Sequence, residues 1–325
     1  MSKFFNTALI GTGYWGSIIF NTLTKITKKK IYVFDKKIAN ANLLKRKFKN
    51  NIYVVNNLNK IIKNKDIKNI ILATHPRTNF ALSKKIFNSD KNLFVEKPIV
   101  NNVSQLSKLI KLSDKKNKIL MGGYIYLFNS YIKKIKKIIE KNELGTIKYI
   151  EIQRKNLGPI RNEVSSHIDL GSHDVSILKY LFKKKLKLKN KNERRILKRN
   201  ISDISTLNLS IGNINCEIIS SWLNPSKERK ILILGSKKML LFDEMEKKEK
   251  LRIFNKYAFY PKITKFKNNY ISNQARIYRG KTKNIKIKET DTLKNELLHF
   301  IKACKYKKSP LTSGKFCLDV LKLII

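Results

Sequence analysis

Gly11-Thr12-Gly13-Tyr14-Trp15-Gly16 constrains this chain more than any other stretch. It follows an apolar run at residues 5–10 and opens the segment WGSIIFNTLTKI, whose apolar positions recur at helical spacing. A glycine turn between a buried strand and a helix is the start of a strand–helix–strand unit. Gly11 permits the tight turn, Gly13 the close approach of a pyrophosphate to the backbone, and Gly16 the close packing of helix on strand. Amides at the helix N-terminus hold the phosphates. The next strand, IYVFD, ends in Asp35, placed to accept bonds from ribose hydroxyls. The pattern predicts a dinucleotide site that includes Tyr14 and Trp15. NAD is favoured over NADP, because Asp35 repels a 2′-phosphate; Lys36 and Lys37 beside it soften that preference.

The rhythm continues beyond the turn. NIYVV, NIILATHP, NLFVEKP and KILMGGY read as strands, separated by the helical segments ANLLKRKF, LNKIIKN, NFALSKKIFNS and VSQLSKLIKLSDKKN. Strands alternating with helices imply a parallel, doubly wound sheet with right-handed crossovers. A Rossmann domain is expected over 1–122. After Gly123 the rhythm changes. A helix is predicted at 129–141, a strand at IKYIEIQRKN and a helix over 169–182. DISTLNLSIG, INCEIISSWL, RKILILGSKK and MLLFDEM read as consecutive strands, and helices at 291–306 and 314–325 close the chain. KKKLKLKNKNERR, at 183–195, is expected as a solvated loop or edge. The second domain, 123–325, is therefore α/β with a large open, mostly antiparallel sheet.

Composition narrows the class. At 325 residues with 42% hydrophobic content the chain suits two cored domains, not disorder. No run approaches the length of a membrane span and the N-terminus does not read as a secretory signal, so a cytoplasmic protein with no membrane partner is expected. Its three cysteines, Cys216, Cys304 and Cys317, form no C-x-x-C and suggest neither disulfides nor zinc. The formal net charge of +48 raises nucleic-acid binding. Against it, lysine far outnumbers arginine, whose planar fork suits phosphate and base edges. The lysines are also spread among Asn and Ile, the residues of A/T-rich codons. The expectation is no nucleic-acid partner.

Two further stretches carry chemistry. Glu96-Lys97-Pro98 follows the strand NLFV, and the carboxyl ends of such strands face the ligand crevice. Lys97 there stabilises negative charge on a reacting oxygen, unless it is an ordinary surface lysine. In RKNLGPIRNEVSSHIDLGSHD, residues 154–174, Asp169 and His173 are four apart, on one face of a helix. A carboxylate that orients an imidazole is an acid/base pair. The structural alternative is a helix start, with Ser166 and Asp169 at capping-box spacing and His173 a buried imidazole. Arg154, Asn156 and Arg161 read either as a grip on a diphosphate or sugar, or as an exposed strand and loop. His75 and His167 have weaker claims, and His299 reads as structural. No third ligand stands at metal spacing, so no metal is expected.

GTGYWG, ATHP (73–76), VEKP (95–98) and DLGSHD (169–174), in that order, resemble the Gfo/Idh/MocA oxidoreductases over essentially the whole chain. NELGTIKYIEIQRKNLGPIR, SWLNP and ELLHFIKACKYKKSPLTSG are similar to the branch related to UDP-N-acetylglucosamine 3-dehydrogenase, which serves surface-polysaccharide pathways. The resemblance implies NAD binding and a homodimer or homotetramer formed through the open sheet. It implies Lys97, Asp169 and His173 as catalytic residues. Thr74, Pro76 and Glu96 fall beside the cofactor, and Lys97 and His173 also contact substrate. Tyr124 stands where many relatives carry His, on the substrate side; Ser130 and Ser172 replace a usual Pro. The implied function is hydride transfer between a sugar hydroxyl, such as that of a UDP-N-acetyl-hexosamine, and nicotinamide. The alternative is a non-catalytic dinucleotide-binding regulator or scaffold in a polysaccharide pathway.

Overall fold

The computed structural model describes residues 6–48, 51–182, 184–260 and 274–325. Its first half alternates strand and helix: β1 (Asn6–Ile10), α1 (Tyr14–Thr24), β2 (Ile31–Phe34), α2 (Ile38–Lys47), β3 (Ile52–Val54), α3 (Leu58–Lys63), β4 (Ile67–Leu72), α4 (Pro76–Asn88), β5 (Asn92–Glu96), α5 (Val103–Lys115) and β6 (Leu120–Gly123). All six strands are parallel, in the order β3-β2-β1-β4-β5-β6. Helices cover such a sheet on both faces, which is why its strands are apolar runs rather than alternations. Ile70, Ile71 and Leu72 of β4 are all fully buried. The helices are amphipathic. In α5 the buried positions Leu106, Leu109, Ile110 and Ser113 follow helical spacing, and Asn102 caps the start by accepting from the Gln105 amide.

A 3-10 turn, Ile125–Phe128, leads to α6 (Ser130–Glu140), capped by Asn129. Then come β7 (Ile147–Leu157), a π turn at His167–Gly171, α7 (Ser172–Leu181), β8 (Leu186–Arg194), β9 (Ile204–Ile211), β10 (Ile214–Ser221), β11 (Leu223–Gly235), β12 (Met239–Asp243), β13 (Leu251–Phe259) and β14 (Arg276–Asn284). The eight strands form one sheet, β14-β13-β12-β11-β7-β10-β9-β8. Only the β7–β10 pair is parallel. Two helices follow, α8 (Thr292–Tyr306) and α9 (Gly314–Ile324). The α/β class, the parallel first sheet and the mostly antiparallel second sheet agree with the sequence reading.

The structure sharpens three points of it. The expected helix over 169–182 begins as a π turn at His167 and becomes an α-helix only at Ser172. The lysine-rich stretch near 183–195, read as loop or edge, is the edge: strand β8. The chain also divides into compact units other than 1–122 and 123–325. One is Met1–Phe128 with Thr290–Lys322, and the other is Asn129–Glu289 with Leu323–Ile325.

Packing explains why α8 belongs to the first unit. Phe300 of α8 meets Phe94 of β5 with ring centroids 5.8 Å apart, both rings fully buried. Such a pair adds about 0.5–1.5 kcal/mol beyond its area burial. The loop after α8 extends the sheet beyond β6: the Gly122 amide donates to Thr312 O (2.9 Å), and Thr312 Oγ1 donates to Gly122 O (2.7 Å). Cys317 of α9 lies against Gly122, where a Cβ would fall 2.5 Å from its Sγ.

Candidate active site

In the first unit the glycine turn has the geometry its spacing implied. Gly11 lies at φ +92°, and a Cβ on it would fall 2.5 Å from the Ala73 carbonyl oxygen. A Cβ on Gly16 would fall 2.1 Å from Gly11 O, so the first turn of α1 packs directly on the loop before it. Gly13 is different: a Cβ there meets nothing within 4 Å. The start of α1 has no side-chain cap, and its first turn carries no acid. Open space over Gly13 beside uncapped amides suits a phosphate group. Tyr14 is exposed and Trp15 half-buried at this helix start.

Asp35 is held firmly. Its Oδ2 accepts from the Thr12 amide (2.7 Å) and Thr12 Oγ1 (2.9 Å), and its Oδ1 from the Lys37 amide (2.8 Å). The carboxylate thus clamps the glycine loop to the end of β2, and its Oδ1 also accepts from Asn40 Nδ2 at 3.4 Å. Thr74 Oγ1 donates to Asn79 Oδ1 (2.6 Å). Pro76 is the first residue of α4, and His75 caps that helix by accepting from the Arg77 amide through Nδ1.

Glu96 and Lys97 follow at the end of β5. Glu96 stands opposite Gly123 on β6, and a Cβ on Gly123 would fall 2.8 Å from Glu96 Oε2, so glycine makes the room for this carboxyl. Burial pushes the Glu96 carboxyl up to about 7, while the Trp15 indole and the Lys97 ammonium pull it down. Tyr124 is only 3% exposed, its ring edge-on to Phe316 at 6.1 Å. Burial raises its hydroxyl well above the usual range. The expected substrate contact is therefore corrected: this side chain is part of the packed interior.

The second unit separates the three residues proposed as a substrate grip. Arg154 is 5% exposed, and its Nε donates to both oxygens of Asp174, each at 2.9 Å; Nη2 donates to Oδ1 at 2.6 Å. Asp174 is fully buried in the first turn of α7. Arg154 pins α7 to β7 rather than reaching for a ligand. Losing one partner of such a buried pair costs about 3–5 kcal/mol, since the other charge is left stranded. Asn156 is tied as well, donating to Gly158 O and accepting from Arg229 Nη2 (2.6 Å). Only Arg161 reaches the acid/base stretch, where its Nε donates to Asp169 Oδ2 at 3.2 Å from a half-exposed side chain.

The capping alternative at 166–169 is absent. Ser166 makes no cap hydrogen bond; its Oγ meets Ser205 Oγ at 2.8 Å. His167 is buried, with Nδ1 3.1 Å from the same Ser205 hydroxyl, and burial pushes its imidazole down to about 4. Asp169 lies in the π turn and His173 in the first turn of α7, both partly exposed. Bulges of π type recur at functional sites, where they re-aim side chains. Gly171 lets this turn approach β10: a Cβ would sit 3.0 Å from Ser220 Oγ. Among the described residues no cluster of three or more His, Cys, Asp or Glu could hold a metal ion, and no helix is long and apolar enough to cross a membrane.

Sequence reasoning passed over two groups. Asp174 looked like one more acid in a polar run, though its place directly after His173 at a helix start was visible. Glu296, on the apolar face of α8, is fully buried.

An open glycine turn, an uncapped helix start and an acid clamped at the end of β2 define a dinucleotide-binding Rossmann unit. Residues 5–124 match the model of the Gfo/Idh/MocA family, described as "Oxidoreductase family, NAD-binding Rossmann fold". The chain is 23% identical over 193 residues to the oxidoreductase YrbE of Bacillus subtilis, covering 56% of this chain and 54% of that protein. It thus spans about half the length of this curated relative. The fold is similar to UDP-N-acetylglucosamine 3-dehydrogenase GnnA from Acidithiobacillus ferrooxidans, with 16% identity, a TM-score of 0.77, and coverage of 98% and 94% of the two chains. It is also similar to GenD2 from gentamicin A biosynthesis, solved with NAD, with 16% identity, a TM-score of 0.78, and coverage of 100% and 93%.

Proposed function

We propose that this protein is an NAD-dependent dehydrogenase acting on a sugar hydroxyl, in all a CH–OH to C=O oxidation. The observation that carries the reading is the pair at the π turn, Asp169 fixed by Arg161 and followed one turn later by His173, in a chain that also has an NAD-binding unit. Bound NAD supplies the hydride acceptor. His173 takes the hydroxyl proton as the C–H bond gives up its hydride and the carbonyl forms. Asp169 orients the imidazole and stabilises its charged form. Lys97 donates a hydrogen bond to the oxygen as negative charge develops. Gly11, Gly13 and Gly16 shape the pyrophosphate cradle, Asp35 takes the ribose diol, and Thr74, Pro76 and Glu96 stand beside the nicotinamide ribose.

A nucleotide sugar such as a UDP-N-acetyl-hexosamine is the substrate class favoured by the similarity to GnnA. Arg161 remains the candidate for meeting its phosphates. A place in cytoplasmic polysaccharide biosynthesis, as a homodimer or homotetramer joined through the large sheet, accords with this reading.

Single-turnover reduction of NAD by a panel of UDP-N-acetyl-hexosamines tests it. His173→Ala is expected to slow hydride transfer about 10²–10⁴-fold, and Lys97→Ala about 10²–10³-fold. Unchanged rates in both variants would sink the mechanism. Tight NADH binding with no turnover on any sugar would favour a regulator or scaffold instead.

A further inference from the structure

Glu296 has no part in the chemistry above, yet it is a costly side chain to bury. It is 0% exposed, and neither of its carboxyl oxygens meets a hydrogen-bond donor among the described residues. A buried carboxylate left without donors is strongly disfavoured. Its position in the fold says what it faces. Phe94 and Glu96 are two apart on β5 and share a face; Glu296 and Phe300 are four apart on α8 and share a face. The Phe94–Phe300 ring contact sets the register between the two elements. It brings Glu296 alongside Glu96, and the two carboxyls act on each other electrostatically.

The surrounding groups offer little else. Trp15 of α1 and Lys97 at the end of β5 act on Glu96, not on Glu296. From α9, Cys317 faces Glu296, and burial holds it as a thiol, with Asp319 beyond it at the surface. Tyr124, after β6, has a hydroxyl that burial keeps protonated. His299, on α8 itself, accepts from the Leu311 amide through Nε2. Two neighbouring carboxylates, Glu296 fully buried and Glu96 partly so, are two acceptors with like charge. One added proton turns them into a donor and an acceptor and removes half the charge.

We propose that Glu96 and Glu296 hold a single proton between them, which makes Glu296 a positioning residue that fixes the charge presented beside Lys97. The pair then carries one negative charge against the single positive charge of the lysine. Its meaning for catalysis rests on the reading of Lys97 as the residue that meets the substrate oxygen. Burial and the neighbouring Glu96 charge both push the Glu296 carboxyl well above the usual range, in the same direction as the geometry. Such a pair titrates as a unit, in two steps.

Infrared spectroscopy of the full-length protein, with carboxyl-13C glutamate incorporated, reads the proton directly. On the alkaline side of the Glu96 titration near 7, one protonated glutamate per chain is expected. None, or two, would overturn the proposal. Glu296→Gln replaces the buried acid with a neutral isostere that donates. In that variant the carboxylic acid band above neutral pH should vanish, while the Glu96 midpoint should stay near 7, because one neutral donor replaces another. A second probe is Trp15 fluorescence in a Trp222→Phe background, whose pH midpoint should likewise be unmoved by Glu296→Gln. A Glu296→Gln protein that folds but keeps the wild-type band, or whose midpoint falls by about one pH unit or more, also overturns the proposal. If it does not fold, the wild-type stoichiometry decides alone. None of these readings uses NAD or a sugar, so they stand apart from the test of dehydrogenase activity.

Discussion

Gly13 and Gly16 stand three residues apart in one turn, and the structure gives them opposite jobs. A methyl group on Gly16 would lie 2.1 Å from a carbonyl oxygen, whereas on Gly13, at φ −63°, it would enter open space. Gly16→Ala should therefore destabilise the unit by about 1–3 kcal/mol, the usual cost of overpacking. Gly13→Ala should keep its thermal midpoint and weaken NADH binding at least tenfold, since the methyl group occupies the phosphate's place. Calorimetry and NADH fluorescence titration separate the two; a Gly13→Ala protein that binds NADH normally would contradict the cradle. At this scale legibility was uneven. The glycines were readable because their chemistry is backbone geometry, which spacing encodes. Arg154 and Asn156 were misread as a ligand grip. Yet they continue the alternation of Ile150 and Ile152 along β7, and all four are buried. Strand period placed them in the interior; polarity argued for the surface, and a buried partner, Asp174, outweighed it. Glu296 could not have been read, because only the packing of α8 on β5 shows that no donor reaches it.

The π turn at His167–Gly171 is the element that sequence periodicity could not foresee, because one extra residue in a turn leaves the spacing of apolar positions nearly unchanged. Its buried histidine makes it sensitive to acid. Below about 6.5 the unfolded chain takes up a proton that His167 in the folded chain resists until about 4. Stability should thus fall as pH drops through that window and be unaffected by this group above it. Lys191 and Arg195 reinforce the depression, and Glu193 opposes it. In His167→Gln the slope of thermal midpoint against pH between about 6.5 and 4 should flatten; an unchanged slope would rule out this histidine as the cause. The edge strands of the large sheet show a different logic. β8 presents Lys187 and Lys189 to solvent, and β14 is exposed along almost its whole length, with Arg276, Arg279, Lys281 and Lys283. Charge on an edge strand discourages pairing with another chain. The reading of 183–195 left loop and edge both open for that reason: lysine-rich sequence looks unstructured, and alternation with Leu186 and Leu188 is all that marks the strand.

For the molecule as a whole, a formal charge of +48 is a self-repulsion spread over every surface. Raising ionic strength shortens the screening length from about 30 Å at 0.01 M to about 10 Å at 0.1 M. The thermal midpoint should rise over that range, by several degrees and irrespective of NAD; a flat or falling response would mean that local ion pairs such as Arg161–Asp169 offset the repulsion. The class of each unit was legible from alternating strands and helices followed by strand after strand. The division between the units was not, because membership of α8 is decided by a contact between residues far apart in sequence, Phe94 and Phe300. That contact also orders events in time. A growing polypeptide leaves the ribosome N-terminus first, at about 5–20 residues per second. When the last residue of β6 has emerged, the NAD-binding unit still lacks Phe300, the Thr312 strand extension and Cys317, which arrive only after the entire intervening sheet has been made. The nascent first unit must wait with part of its apolar interior uncovered while the intervening sheet is synthesised.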